Sequence, residues 1–220
     1  MIQEKSQWTA VTKMMNKKDE IMLGRHLAYW FEKTPRRALY YASYYKFAAR
    51  LIGNNRRVLD VGSGEGLGTW ILAAECGYAN GVDLDEEAIL IAQQNWKDDR
   101  INFVCADFLD LQPEQWNAVV SFDVVEHILP DNAVSFFSRI ADNLAHDGIA
   151  IIGTPNLEAQ QYASDVSKTG HVNVFSYERL EETMQTYFNH VFMFCANDEI
   201  IHTGYSKLAH YLIAVGCKKK

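Results

Sequence analysis

The chain has 220 residues, of which 48% are hydrophobic and 22% are charged, and its formal net charge is −7. This length and composition indicate one globular domain with a sizeable core, and they exclude intrinsic disorder, a collagen-like repeat and a large multidomain assembly. The excess of acidic side chains disfavours nucleic-acid binding, because a surface that binds the phosphate backbone needs positive charge.

The cysteines and the N-terminal residues bear on the cellular compartment. The four cysteines show no CxxC spacing and are interpreted as reduced thiols in apolar surroundings. Residues 1–20 contain no apolar core like that of a signal peptide, and no stretch approaches the roughly 18 apolar residues of a membrane span. We therefore expect a cytoplasmic protein without stable membrane insertion, whose oligomeric state the sequence leaves open.

The first quarter of the chain is predicted to be helical. Apolar residues recur at three- and four-residue spacing from Ala38 to Ile52, with Pro35 near the start of this helix and Gly53 at its end. The aromatic side chains on this helix are interpreted as core packing. We expect residues 1–55 to form an N-terminal helical cap that acts as a lid, ahead of a main domain of residues 56–220.

From residue 57 onward, short apolar or β-branched runs alternate with helical patterns. The alternation predicts an α/β fold with a doubly wound, mostly parallel sheet and helices on both faces. The predicted strands are 58–61, 81–84, 101–105, 118–122 and 149–154, and the predicted helices are 66–75, 86–96 and 132–144. After a polar stretch, a helix near 177–187 and two late strands, 191–195 and 208–215, are expected to add an antiparallel edge to the sheet.

A glycine-rich turn joins the first predicted strand to the helix behind it. The segment Asp60-Val-Gly-Ser-Gly-Glu-Gly66 places glycines where the backbone needs positive φ and where it approaches a ligand at a helix N-terminus. In the dinucleotide fingerprint GxGxxG, the third glycine would fall at position 67, which is Leu67. The turn predicts a nucleotide-like ligand, and its spacing points away from NAD.

Two further motifs lie at the carboxyl ends of the next two predicted strands. Gly81-Val82-Asp83 ends the second strand, and Cys105-Ala106-Asp107-Phe108 follows the third. Together with the glycine turn, they resemble the Rossmann-like, class I S-adenosylmethionine-dependent methyltransferases over about residues 57–156. The resemblance implies that Asp83 binds the ribose hydroxyls and that Asp107 accepts a hydrogen bond from the adenine amino group. The cofactor-binding residues implied are Asp60, Gly62, Ser63, Gly64, Gly66, Asp83, Leu84, Asp107, Phe108 and Ser121.

The fourth predicted strand ends in the cluster Asp123-Val-Val-Glu126-His127, where parallel sheets bind ligands. It resembles the Glu-x-x-Glu-His cluster of metal-assisted O-methyltransferases, in which a later histidine completes a divalent-metal site. His171 is the corresponding residue here. The resemblance implies that Asp123, Glu126, His127 and His171 hold Mn²⁺, Mg²⁺ or Zn²⁺. Two alternatives stay open: His127 acts as a metal-free general base, or the Glu-His pair holds the loop.

Four segments near the two ends of the chain carry a second resemblance, and they are Leu23-Gly24-Arg25, Ser43 to Phe47, Asn197 to Gly204 and Ala209 to Leu212. They resemble bacterial methyltransferases encoded among surface-polysaccharide genes, including enzymes of the phosphoramidate-cap type. The resemblance implies an O-methyltransferase with a small-molecule acceptor, a phosphoramidate or a sugar-linked intermediate. His127 and His171 would face this acceptor.

Several side chains and one segment are assigned to the acceptor end of the site. The cations available for a phosphorylated acceptor are Arg25, Arg36, Arg37 and Lys46. Residues 156–176 are expected to form a lid segment that keeps water from the reacting methyl group. The alternatives are a quinone-type catechol O-methyltransferase and a catalytically silent module that binds the cofactor.

Overall fold

A sheet of eight strands organises the computed structural model, which describes residues 2–15 and 20–220. The strands are β1 (Arg56–Val61), β2 (Gly77–Asp83), β3 (Ile101–Cys105), β4 (Trp116–Phe122), β5 (Leu144–Pro155), β6 (Phe188–Ala196), β7 (Ile201–His202) and β8 (Tyr211–Lys219). The α-helices are α1 (Ile2–Met14), α2 (Arg25–Lys33), α3 (Arg36–Ile52), α4 (Leu67–Cys76), α5 (Glu86–Asn95), α6 (Pro130–Asp142), α7 (Asp165–Gly170) and α8 (Tyr177–Tyr187). The predicted alternation of strands and helices is confirmed.

The strands lie in the order β3-β2-β1-β4-β5-β8-β6-β7. β1 to β5 pair in parallel, whereas β8 runs antiparallel to both β5 and β6. The predicted mostly parallel, doubly wound sheet with an antiparallel edge is therefore confirmed. The last strand begins at Tyr211 rather than Leu208, because residues Ser206–Leu208 form a 3-10 turn.

The strand order reverses at β1, which has β2 on one side and β4 on the other. The connections that leave β1 and β4 therefore diverge and open a crevice above the carboxyl ends of the strands. The glycine turn follows β1, and Asp123 follows β4 directly. The two predicted halves of the site consequently meet at this crevice.

Successive residues along the strands pack alternately in two separate apolar cores, one on each face of the sheet. Leu59 and Val119 pack in a core with α6 and α8, whereas their neighbours Val58 and Ala118 pack in a second core with α3 and α4. This alternation follows from the two-residue period of a strand. The sheet is thus covered on both faces, as the sequence predicts.

Helix α3 belongs to the second of these cores, since Tyr45, Ala48 and Ile52 on it are buried. The interpretation of its aromatic face as core packing is confirmed. A domain boundary near residue 55 stays a prediction, and residues 1 and 16–19 of the expected cap lie outside the described part of the chain. Within residues 2–15 and 20–220, no helix is both long and apolar enough to cross a bilayer.

A buried carboxyl group joins α3 and α4 to the sheet. Asp60 on β1 has no exposed surface, and its Oδ1 accepts a hydrogen bond from Tyr45 Oη at 3.2 Å. Its Oδ2 accepts from Thr69 Oγ1 at 2.6 Å. Burial raises the pKa of Asp60 to about 7, although both hydrogen bonds act in the opposite direction. Asp60 is thus a structural junction beneath the glycine turn.

The raised pKa of Asp60 predicts a specific dependence of stability on pH. Between the unfolded pKa near 3.9 and the folded pKa, only the folded chain keeps this proton, so stability falls as pH rises. The variant Asp60→Asn cannot ionise. Between pH 4 and pH 7, the free energy of unfolding of the native chain should therefore fall by up to about 4 kcal/mol relative to that of Asp60→Asn.

Urea unfolding at several pH values measures this difference. The variant Asp147→Asn is the matched control, because Asp147 is an exposed carboxyl group. Its unfolding free energy should follow that of the native chain at every pH. Parallel curves for the native chain and Asp60→Asn would contradict the raised pKa.

Candidate active site

A deep cleft lies above the carboxyl ends of the central parallel strands, and its volume is about 1360 Å³. Pockets for one small ligand commonly measure about 300–1,000 Å³. The cleft therefore has room for a cofactor and a second small molecule. Residues of the glycine turn line one end, and Glu126, His127 and His171 line the other.

The backbone of the glycine turn adopts the positive φ values that the sequence predicts. φ is +80° at Gly62, +50° at Gly64 and +81° at Gly66. A Cβ atom at Gly64 would meet no atom within 4 Å, whereas one at Gly62 would overlap the Val124 side chain. Ser63 Oγ is buried in the cleft wall and, among the described residues, has no hydrogen-bond partner. An open backbone surface and an unsatisfied hydroxyl fit a polar ligand at this end.

Seven of the ten predicted cofactor residues line the cleft. They are Gly62, Ser63, Gly64, Asp83, Leu84, Asp107 and Phe108. Asp83 Oδ2 accepts a hydrogen bond from the Gly64 amide at 2.8 Å, and its Oδ1 accepts from the Asp85 amide at 2.9 Å. Each carboxylate oxygen has a second lone pair, so Asp83 keeps acceptor capacity for a diol.

The other three predicted cofactor residues do not line the cleft within the described part of the chain, and their contact with a cofactor stays a prediction. Asp60 uses both carboxylate oxygens on Tyr45 and Thr69 beneath the turn. Ser121 Oγ donates to the Val61 carbonyl at 3.0 Å. Gly66 is buried, and a Cβ there would overlap Phe103. All three support the turn from behind.

Three titratable side chains converge at the far end of the cleft. Glu126 and His127 lie on the 3-10 turn Val125–His127 after β4, and His171 follows α7. The imidazole centroids of His127 and His171 are 5.1 Å apart. One ligand atom from each of Glu126, His127 and His171 lies within 4.8 Å of the other two. Of the four residues that the sequence assigned to a metal site, the structure thus brings these three together.

Hydrogen bonds define the tautomers of both imidazoles. His127 Nδ1 lies 2.9 Å from the Gly170 carbonyl oxygen, which can only accept, so Nδ1 carries the proton and donates. His171 Nδ1 donates in the same way to Gln160 Oε1 at 3.2 Å. Each Nε2 atom consequently keeps a free lone pair, which is the state that a metal ligand or a general base requires.

Glu126 is buried beneath the two histidines. Its Oε2 accepts a hydrogen bond from Thr154 Oγ1 at 2.9 Å, whereas its Oε1 is buried and unpartnered within the described residues. Burial, followed by the charge of Asp123, raises the pKa of Glu126 to about 8. An unpartnered carboxylate oxygen beside two imidazoles fits a divalent cation, and without a cation it fits a proton.

Asp123 lies outside the group of three, and its carboxylate pairs with Arg37; its place in a metal site stays a prediction. The Arg37 guanidinium donates to Asp123 Oδ2 at 3.0 Å, and the charge of Asp123 raises the pKa of Arg37. Asp123 has φ +57°, a left-handed conformation that is uncommon for residues other than glycine. The Arg37 guanidinium also lies 5.3 Å from the Trp30 ring centroid. No local sequence pattern predicts this pair, because its members are 86 positions apart.

The structure separates the four predicted cations. Arg25 and Arg37 line the cleft, but the Arg25 side chain is mostly exposed and pairs with Glu87. Arg36 and Lys46 are exposed on α3. Of the four, Arg37 is therefore the cation that lies at the reaction centre, beside Asp123.

The predicted lid segment 156–176 borders the same end of the cleft. Gln160, Tyr162 and His171 from this segment line it. The Asn173 amide donates to the Glu126 carbonyl at 3.0 Å, which attaches the segment to the turn that carries Glu126. The segment lies at the acceptor end of the cleft, where it is expected, and its action as a lid stays a prediction.

Comparison with known proteins agrees with the fold and the cleft. Residues 58–148 match a protein family described as a methyltransferase domain. A ubiquinone biosynthesis O-methyltransferase of Glaesserella parasuis is 27% identical over 117 residues, which cover 49% of this chain and 48% of that protein. A probable S-adenosylmethionine-dependent methyltransferase of Mycobacterium tuberculosis is 28% identical over 130 residues, which cover 58% of this chain and 43% of that protein. The matched regions are thus about half the length of these relatives.

A solved structure extends the similarity in fold over nearly the whole chain. The 1,6-didemethyltoxoflavin-N1-methyltransferase of Burkholderia thailandensis, bound to S-adenosylhomocysteine, has a TM-score of 0.63 and 18% identity. The superposition covers 94% of this chain and 98% of that one. Residues 58–148 therefore match a methyltransferase domain, and S-adenosylmethionine is the cofactor of such methyltransferases.

The position of Asp83 generates a prediction for cofactor affinity. Replacing Asp83 with Ala removes a carboxylate at the cofactor end, and hydrogen bonds to a charged group contribute about 1.5–3 kcal/mol. Calorimetric titration with S-adenosylhomocysteine should show binding weakened by about 10- to 150-fold.

The variant Glu86→Ala is the control for this loss. It removes a nearby exposed carboxylate that does not line the cleft. Its affinity should match that of the native chain. Native affinity in Asp83→Ala would refute the ribose assignment.

Proposed function

We propose that the chain transfers a methyl group from S-adenosylmethionine to an oxygen atom of a small polar acceptor, a phosphoramidate or a sugar-linked intermediate of surface-polysaccharide synthesis. The observation that carries the O-methyl assignment is the Nε2 lone pair of His127, held free by the hydrogen bond from Nδ1 to Gly170. When bound, S-adenosylmethionine supplies a methyl group on a sulfonium, which is already electrophilic. The protein must then orient the acceptor and remove its proton.

His127 is the group that takes the acceptor proton in this proposal. It is exposed to the cleft, and its ring orientation is defined by the Gly170 carbonyl. Burial, followed by the neighbouring His127, lowers the pKa of His171, so His171 stays neutral beside it. An imidazole with a free Nε2 atom accepts a hydroxyl proton without an ion pair that must first break.

Unpartnered oxygens support a hydroxyl-bearing acceptor. Asp123 Oδ1 and Glu126 Oε1 are buried at the cleft, and neither has a hydrogen-bond donor among the described residues. A buried acceptor atom without a donor costs about 1–3 kcal/mol. A sugar hydroxyl group would donate to Asp123 Oδ1 and would accept from Glu126 while Glu126 is protonated, and Arg37 offers its remaining N–H groups to a phosphate or phosphoramidate oxygen.

The same centre fits a divalent cation. One carboxylate oxygen of Glu126 and one ring nitrogen each of His127 and His171 form a mixed oxygen and nitrogen ligand set suited to Mn²⁺, Mg²⁺ or Zn²⁺. Such an ion would supply Lewis acidity that lowers the pKa of a hydroxyl. Glu126 needs a positive neighbour to stay ionised, since its pKa is raised to about 8.

Metal binding can be measured without knowledge of the acceptor. We expect Mn²⁺ to bind the chelator-treated native chain, and His171→Ala to weaken that binding by at least tenfold because it removes one of three ligands. The variant His146→Ala, which removes an exposed histidine away from the cleft, should bind as the native chain does. Absence of Mn²⁺ binding by the native chain would leave His127 as a metal-free base.

A quinone-type catechol O-methyltransferase is the second candidate. One relative is named a ubiquinone biosynthesis O-methyltransferase, and Trp30 and Tyr41 add aromatic surface to the cleft wall. A catechol ring would contact that aromatic surface more than it would interact with the charge of Arg37.

The third candidate is a catalytically silent module, which would bind the cofactor and methylate none of these acceptors. Cytoplasmic location also stays a prediction.

An acceptor panel separates these candidates. Phosphoramidates, sugar nucleotides and catechols are each incubated with the chain and S-adenosylmethionine, and S-adenosylhomocysteine release is measured. We expect release with the first two classes, and Arg37→Gln should raise KM for the phosphorylated acceptors by at least tenfold through loss of a charged hydrogen bond.

The adjacent variant Arg36→Gln is the matched control, because Arg36 is exposed outside the cleft. It removes the same charge from the same helix and should leave KM unchanged. Turnover of catechols alone would favour the quinone-type enzyme. Cofactor binding without any methylated product would favour the silent module.

A further inference from the structure

The N-terminus of α2 is capped by a residue from the glycine turn. The first amides of a helix lack partners inside the helix, and the N-cap residue of α2 is Gly24, which has no side chain to offer. Instead, Glu65 Oε1 accepts a hydrogen bond from the His26 amide at 2.8 Å. A carboxylate at this position also complements the positive end of the helix dipole.

Glu65 lies between the cofactor end of the cleft and the N-terminus of α2. It is the residue between Gly64 and Gly66, and it is 4% exposed. Its carbonyl accepts from Trp96 Nε1 at 2.9 Å, which holds the turn from the side of α5. A Cβ atom at Gly24 would lie 2.2 Å from Glu65 Cγ, so Gly24 is required for the two segments to approach this closely.

The other contacts at this junction are more exposed than the Glu65 contact. Arg25 pairs with Glu87, with both side chains more than half exposed, and His26 lies 3.3 Å from Asp85. Exposed pairs of this kind contribute about 0–1 kcal/mol. The buried Glu65 carboxylate is consequently the most shielded polar link between α2 and the turn.

The far end of α2 reaches the acceptor half of the cleft. Trp30 on this helix lines the cleft, and the Arg37 guanidinium lies 5.3 Å from its ring centroid. Arg37 in turn donates to Asp123 at the reaction centre. A continuous series of contacts thus runs from Glu65 at the cofactor turn to Asp123 at the end of β4.

We propose that Glu65 is a positioning residue that couples cofactor binding to the docking of α2, and through Trp30 and Arg37 to completion of the acceptor pocket. The proposal rests on the proposed function in one respect, that the glycine turn binds S-adenosylmethionine. A ligand that orders the turn orders Glu65, and Glu65 then holds the N-terminus of α2. Because coupling is reciprocal, α2 docking also strengthens cofactor binding.

Hydrogen exchange tests this coupling with S-adenosylhomocysteine as the probe and needs no acceptor. In the native chain, saturating S-adenosylhomocysteine should slow amide exchange in residues 25–33 by about fivefold, the size expected from one helix cap. Glu65→Ala should still bind S-adenosylhomocysteine, about fivefold more weakly, and should lose this added protection. Glu65→Gln should keep most of it, because the amide oxygen still accepts from His26.

Two further variants separate coupling from general destabilisation. Gly24→Ala places a methyl group against Glu65 and should reproduce the loss seen in Glu65→Ala with the carboxylate present. Glu87→Ala removes only the exposed partner of Arg25 and should retain the added protection. Both variants remain informative if Glu65→Ala does not fold.

The outcomes distinguish this proposal from the proposed function. If the native chain does not bind S-adenosylhomocysteine, the proposed function fails before any variant is compared. If it binds and residues 25–33 exchange at an unchanged rate, the coupling proposal alone is overturned. Equal protection in the native chain, Glu65→Ala and Gly24→Ala would overturn it as well.

Discussion

The reversal of strand order at β1 is the constraint on which the rest of the molecule depends. Because β2 and β4 lie on opposite sides of β1, the turns after β1 and β4 separate and leave a crevice. The glycine turn and the Glu126-His127 turn can face one another only across that crevice. The buried Asp60 carboxyl supports this arrangement from below, since it joins β1 to α3 and α4.

The two ends of the cleft have different electrostatic character. At the cofactor end, backbone amides, Ser63 and the Asp83 carboxylate present hydrogen-bonding groups that suit a nucleoside. At the other end, Glu126 and Asp123 lie close together and Arg37 pairs with Asp123, so burial keeps a proton on Glu126 unless a cation replaces it. The reaction centre therefore suits a ligand whose groups both donate and accept hydrogen bonds, or the charge of a metal ion.

Local sequence patterns predicted most of the sheet and the cofactor end of the cleft. The predicted strand 101–105 and helix 177–187 have the observed bounds, since both follow hydrophobic periodicity within one segment. The ends of β5 and β8 were less predictable, because pairing with neighbouring strands extends β5 back to Leu144 and moves β8 to Tyr211. The exposure of Cys105 was also missed, since an apolar neighbourhood in sequence does not define the outer face of an edge strand.

By itself, the sequence determined the order of strands and helices, the glycine turn and the residue types available for chemistry, because each depends on neighbours within about ten positions. Only the tertiary structure decided which of those residues reach the cleft. It joined Asp60 to Tyr45 beneath the glycine turn, paired Asp123 with Arg37 and placed Glu65 at the N-terminus of α2. These pairings join positions from 15 to 86 residues apart, and packing between layers, which has no local sequence signature, brings them together.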